Sequence, residues 1–114
     1  MDKELITKNE VENDEKSIHL YFDEEVGMYV AFGFSAFFVT HFVDVVCSFS
    51  EVLSMPVALL KRSDVEELRL SVSRIKHDYH KYYLLQLKKP MSLEGYVRWG
   101  NSVKWASANR EEGK

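Results

Sequence analysis

One cysteine, two prolines and five glycines in 114 residues leave this chain little covalent or conformational punctuation. Cys47 has no partner for an internal disulfide, so packing must hold the fold, which favours a reducing, cytoplasmic setting. A small buried hydrophobe inside a helix is the expected role of its thiol. Long apolar runs are missing too. The richest, Val26 to Val39, falls short of the ~20 residues that span a bilayer, and His41 and Asp44 come directly after it. The first residues carry neither the basic flank nor the apolar segment of a signal peptide, so no membrane partner is expected. Gly-rich phosphate loops, a Gly-x-Ser-x-Gly elbow and a Cys-x-x-Cys pair are absent as well. These gaps exclude the usual catalytic frameworks. The expectation is a non-enzymatic protein with no catalytic residues, no metal, no cofactor and no small-molecule substrate.

Excess charge of one sign is small overall, net −3, but it is unevenly spread. Residues 1–15 hold six acids (Asp2, Glu4, Glu10, Glu12, Asp14, Glu15) against two lysines. With few large apolar residues and no clear period, residues 1–16 read as a disordered acidic tail, and 109–114 as a second disordered tail. The domain is then 17–108.

Within it, a hairpin is expected from Ser17, where Ile18, Leu20 and Phe22 alternate with His19 and Tyr21 as on one strand. Asp23-Glu24-Glu25-Val26-Gly27 breaks the pattern, and Met28 to Phe34 resumes it as the second arm of a hairpin. Ser35 is placed to cap a helix from Ala36 to about Leu53, where Phe37, Phe38, Val39, Phe42, Val43, Val45, Val46, Cys47 and Phe49 leave only a narrow polar stripe of Thr40, Asp44, Ser48 and Glu51. One small sheet cannot cover so greasy a helix. A second copy is therefore expected on it, with Phe38, Phe42, Val45, Phe49 and Trp105 in the dimer contact.

Met55 to Leu60 suits a third strand, with Pro56 at its start or on an edge. Ser63 and Glu66 form the spacing of a capping box, and Val65, Leu68, Val72 and Ile75 mark the buried side of a second helix ended by His77-Asp78. Tyr79 to Leu87 reads as a fourth strand, with Tyr83, Leu85 and Leu87 on one face and Tyr82, Leu84 and Gln86 on the other. Pro90 closes it. Ser92 opens a third helix to about Ala108, in which Tyr96, Trp99 and Val103 close the core. The expected fold is α/β (α+β), a mixed four-stranded sheet in the order β-β-α-β-α-β-α.

Chemistry-bearing residues are scattered. His77 and His80 flank Asp78 but lack a third ligand, and His41 with Asp44 offers at most an i, i+3 pair on a helix face. Basic residues gather over 61–89, where Lys61, Arg62, Arg69, Arg74, Lys76, Lys81, Lys88 and Lys89 outnumber four acids. Interleaved with Tyr79, Tyr82 and Tyr83, they form either a weak footprint for double-stranded DNA or a mixed solvated face.

The hairpin and the segments after it resemble the N-terminal mismatch-recognition domain of the DNA repair protein MutS. In that family a Leu-Leu-Phe strand leads through a Gly turn into Asp-Phe-Tyr-Glu-Leu-Phe and a helix opened by Asp-Asp-Ala. Here Ile18-His19-Leu20-Tyr21-Phe22 leads through Gly27 into Met28-Tyr29-Val30-Ala31-Phe32, and Phe34-Ser35-Ala36 opens the helix. Met55-Pro56-Val57-Ala58-Leu59, the helix from Ser63 and the strand ending at Pro90 keep the family's order. The resemblance spans Ser17 to Pro90, in element order and apolar pattern more than in identities. It implies a DNA-binding module related to mismatch repair, with Met28 or Tyr29 as the wedge beside a base step; Lys61, Arg62, Lys88 and Lys89 of the 61–89 basic stretch are the accompanying phosphate-contact candidates. The family's Phe-x-Glu reader falls on Met28 and Val30, or on Tyr29 and Ala31, so the base-reading carboxylate is absent in either register, and so are the ATPase and clamp domains. A protein–protein adaptor or dimerisation module with no nucleic-acid role is the alternative.

Overall fold

A computed structural model describes residues 3–72, 74–79 and 82–112, with the main chain alone for 74–79 and 110–112. The hairpin forms as the alternation predicts. Strand β1 (Ser17–Asp23) pairs antiparallel with β2 (Met28–Phe32) in the register Tyr21↔Val30. Gly27, at φ +67°, closes the turn by donating its N–H to the Asp23 carbonyl, a conformation that costs glycine least.

Helix α2 (Gly33–Thr40) starts two residues before Ser35 and stops thirteen before Leu53. Its short length has a local cause. The Thr40 hydroxyl donates to the Phe37 carbonyl at 2.6 Å, and His41 Nδ1 lies 2.9 Å from the same oxygen. Both side chains compete for the acceptor that a longer helix would use. The β-branched Val43, Val45 and Val46 then disfavour a further turn. Residues expected to continue the helix instead form strand β3 (Val46–Ser50), and Cys47 lies half-buried in that strand. Strand β4 (Met55–Leu60) comes next, with Pro56 close to its start as predicted.

Helix α3 (Arg62–Ser71) begins one residue ahead of the expected Ser63. The Asp64 carboxylate, rather than a Ser63–Glu66 box, accepts the Lys61 N–H at 2.9 Å. Val65 and Leu68 are buried as read, but the helix ends before Ile75, and strand β5 (Arg74–Tyr79) takes the place of its last turns. Strand β6 (Tyr82–Gln86) and helix α4 (Tyr96–Glu112) complete the fold. The two terminal tails are also corrected. Lys3–Val11 forms helix α1, which buries Ile6 and Glu10, and α4 extends through residues 109–112.

The result is an α+β domain whose sheet has six strands in the order β3-β4-β2-β1-β6-β5. Every pairing is antiparallel, so the sheet is neither four-stranded nor mixed. Alternation along each strand creates two unequal faces. Ile18, Leu20, Tyr29, Ala31, Ala58, Leu60 and Leu85 point to one side, where Phe37, Phe38, Val39, Val65 and Leu68 from the helices meet them, with Tyr96 and Trp99 of α4 at the margin. The other side carries a smaller cluster of Tyr21, Val30, Phe32 and Val57, covered by Ile6 of α1.

Candidate functional site

The register separates the residues expected to touch DNA. Lys61 and Arg62 are exposed where β4 runs into α3, beside Met28, at the end of the sheet where Tyr29 pairs with Leu60. Asp23, Glu24, Glu25 and Asp64 stand at that same end, so it is not a basic surface. Lys88 and Lys89 come after β6, whose Gln86 pairs with Ser17 at the opposite end. A five-residue strand, on the order of 17 Å, lies between the two pairs. Met28 is half-buried. Tyr29 is a core residue, 7% exposed, with its ring 5.1 Å from Phe22 and 5.4 Å from Tyr83. Stacking Tyr29 on a base would require dismantling that cluster. Arg69 lies over the Tyr83 ring and pairs with Glu66 at 3.3 Å. His80 and Lys81, and the side chains of Arg74, Lys76, His77, Asp78 and Tyr79, lie outside the described residues.

The greasy segment is also redistributed. Phe38 is 0% exposed in the principal core, and Phe42 and Val45 pack against that core. Phe49 is half-buried in β3 under the ammonium of Lys104, 5.2 Å from the ring centre. None of these four presents a free apolar face, because shortening α2 folded the excess grease into the domain's own core and sheet. Trp105 differs: it is 70% exposed. On α4 the buried side runs through Tyr96, Trp99 and Val103, while Gly100 leaves room for Pro56 and Lys104 reaches Phe49. The opposite side presents Arg98, Asn101, Ser102, Trp105 and Ala106 around a shallow concavity of about 620 Å³, with Val97 70% exposed beside it.

Under α1 lies a polar cluster that the sequence did not announce. The N–H and hydroxyl of Ser35 donate to the two carboxylate oxygens of Glu10, at 2.9 and 2.7 Å, so a side chain from α1 caps the N-terminus of α2. Because β2 ends at Phe32, the Ser35 Oγ also takes over the role of a ladder acceptor and receives the His19 N–H at 3.0 Å. Gly33 makes this junction possible at φ +55°. His19 Nδ1 and the Tyr82 hydroxyl are 2.7 Å apart, and Asn9 donates to the Tyr21 hydroxyl at 2.9 Å. Burial lowers the His19 pKa to about 4, so the ring is neutral near pH 7. Burial raises that of Glu10 to about 7 against the opposing pull of its bonds to Ser35 and Asn13. A cavity of about 110 Å³ beside it is lined by Val11, Gly33, Phe34, Met55 and Tyr96. In the sequence, the only trace of this cluster is the i, i+4 spacing of Ile6 and Glu10 within a stretch otherwise too polar to read as packed.

Among the described residues no three His, Cys, Asp or Glu side chains converge as metal ligands, and no helix is long and apolar enough to cross a membrane. His41, expected to face Asp44 on a helix, turns back to the Phe37 carbonyl, and Asp44 lies beyond the helix end. No known family model, curated protein or solved structure matches this chain.

Proposed function

We propose that this chain is a non-enzymatic protein-interaction module that works as a homodimer joined along the outer face of α4. The observation that carries this reading is the exposure of Trp105 in the middle of a helix whose other side is committed to the core. Tryptophan and arginine are the side chains most enriched at the energetic centres of interfaces, and here they recur one heptad apart on an uncovered face.

The face is complementary to itself. Two α4 helices laid antiparallel about a two-fold axis between Asn101 and Ser102 set each Arg98 guanidinium over the other copy's indole at position 105. Each Asn101 amide then meets a Ser102 hydroxyl, and Val97 meets Ala106. Cation–π contacts of this kind contribute about 0.5–2 kcal/mol each, and the small residues between them allow close approach of the helices. A single helix pair lies at the low end of stable interface areas, so dissociation in the micromolar range is expected.

Sedimentation velocity across a concentration series tests this reading. The wild type should shift from monomer to dimer with tryptophan emission moving to shorter wavelength, and Trp105→Ala should weaken association by roughly 30-fold or more, the signature of a central anchor. A wild type that stays monomeric at high micromolar concentration overturns it.

A further inference from the structure

We infer that α1 is a detachable strap over the second face of the sheet, and that one proton on Glu10 decides whether it stays seated. This is independent of the α4 interface: it concerns α1 and the sheet face beneath it, and uses none of Val97, Arg98, Asn101, Ser102, Trp105 or Ala106.

Few contacts hold α1 in place. Its buried residues are Ile6 and Glu10 alone. Ile6 fills a seat made by Tyr21, Val30, Phe32 and Val57, and Asn9 adds one hydrogen bond to Tyr21. Glu10 accepts two bonds from Ser35. Lys3, Glu4, Thr7, Lys8 and Val11 of the helix are exposed. Several of them line a groove of about 510 Å³ against Val52 and Leu53. Removing α1 would leave the sheet intact, since no strand bond depends on it, but would uncover an apolar strip across β1, β2 and β4.

The cap accommodates both protonation states. As a carboxylate, Glu10 accepts the Ser35 N–H and O–H. Protonated on Oε2, it donates to the Ser35 Oγ, which still has a lone pair beyond the one that receives the His19 N–H, and the Ser35 hydroxyl hydrogen then turns away from Glu10. The difference lies in solvation, because the charged form is 3% exposed and has no cation among the groups that set its titration. The ionisable groups facing it are phenols: Tyr21 from β1, Tyr82 from β6 and Tyr96 from α4. All three are pushed above the ordinary phenol value by burial and by the Glu10 charge, and all stay protonated near neutrality. His19 belongs to the same cluster through Tyr82 and is held near 4.

Seated, Glu10 titrates at about 7; released into water, it returns to 4.5. Seating is therefore favoured by a proton: its advantage is complete below the released value and is lost as pH rises through the seated one. Between about pH 5 and pH 8 the seated-to-released ratio should fall by several tens of fold from this group alone. The strip beneath is thereby masked in mildly acidic conditions and accessible in mildly alkaline ones.

Methyl NMR of the whole chain tests this inference. The Ile6 δ-methyl, shifted by the rings of its seat, reports seating directly, and Glu10→Gln imitates the protonated acid. The wild-type Ile6 signal should move toward its free value as pH rises from about 5 to about 8, while E10Q stays seated throughout; comparing the two removes any contribution from His19. Identical pH responses in the two proteins, or a wild type seated at both ends, overturn the inference. Should E10Q fail to fold, the 13C titration of the wild-type Glu10 carboxyl decides: a midpoint near the ordinary carboxylate value excludes the proton as the latch.

Discussion

Replacing Ser35 by alanine removes one hydroxyl that performs two tasks in a space closed to solvent. Ser35 is 0% exposed, and its oxygen accepts the N–H of His19 in a central strand while donating to Glu10. After the substitution the His19 N–H loses this acceptor at a point where β2 has already ended and the chain has turned into α2. An orphaned buried donor costs about 1–3 kcal/mol, and a lost bond to a carboxylate about 1.5–3 kcal/mol. Some of the second cost vanishes where Glu10 is protonated, so about 3–4 kcal/mol is expected near neutral pH. Against a typical stability of about 5–15 kcal/mol this is a large fraction, and it should lower the melting temperature by roughly 10–15 °C. Urea denaturation followed by circular dichroism reads the effect as a lower midpoint at unchanged slope. Ser107→Ala is the internal comparison, since the Ser107 hydroxyl is buried without a hydrogen-bond partner among the described residues. Its removal should be neutral within about 0.5 kcal/mol or stabilising. Equal effects of the two substitutions, or a Ser35→Ala cost under about 0.5 kcal/mol, would refute the assignment of Ser35 as the joint between strand, helix and strap.

Two further outcomes rest on the backbone and the charge layout. Gly33→Ala places a methyl group 3.4 Å from Met55 Sδ and 3.5 Å from Glu10 Cγ, which is ordinary contact, so its cost is conformational. About 1–2 kcal/mol is expected from holding alanine at a positive φ, measurable in the same urea assay, and no loss at all would contradict the turn geometry. Lys88→Glu with Lys89→Glu should leave fluorescence anisotropy against matched and mismatched duplexes unchanged at low salt, because those lysines sit a strand length from Lys61 and Arg62. A steep loss of wild-type binding with salt, abolished by the double substitution, would restore the phosphate-contact reading.

Much of the strand content was legible because period-two alternation is a local signal that needs no knowledge of neighbours. Ile18-x-Leu20-x-Phe22, Met55–Leu60 and Tyr83-x-Leu85 lie on observed strands, and Leu87 is buried one residue past β6, while Tyr79, expected to start that strand, ends β5 instead. The buried stripe Tyr96, Trp99 and Val103 of α4 was legible for the same reason at helical period. The segment after Thr40 was misread because a continuous run of apolar residues has no period. Valine side chains and a doubly engaged Phe37 carbonyl ended the helix where hydrophobicity alone would have extended it. The strand at Arg74–Tyr79 was hidden behind a plausible helical spacing in the same way.

What the chain's own order of residues determined, then, was the hairpin, its glycine turn, the alternating faces and the amphipathic last helix. Only the tertiary structure decided that Lys3–Val11 is a helix, since its one buried isoleucine gains nothing until a sheet exists to receive it. The tertiary structure also decided the environment of Glu10. A carboxylate acquires a raised pKa and a capping role only when another element, distant in sequence, surrounds it with protein in place of water. The same reason separates Lys61 from Lys88: nearness along the chain fixes charge density, whereas strand register fixes where each charge stands.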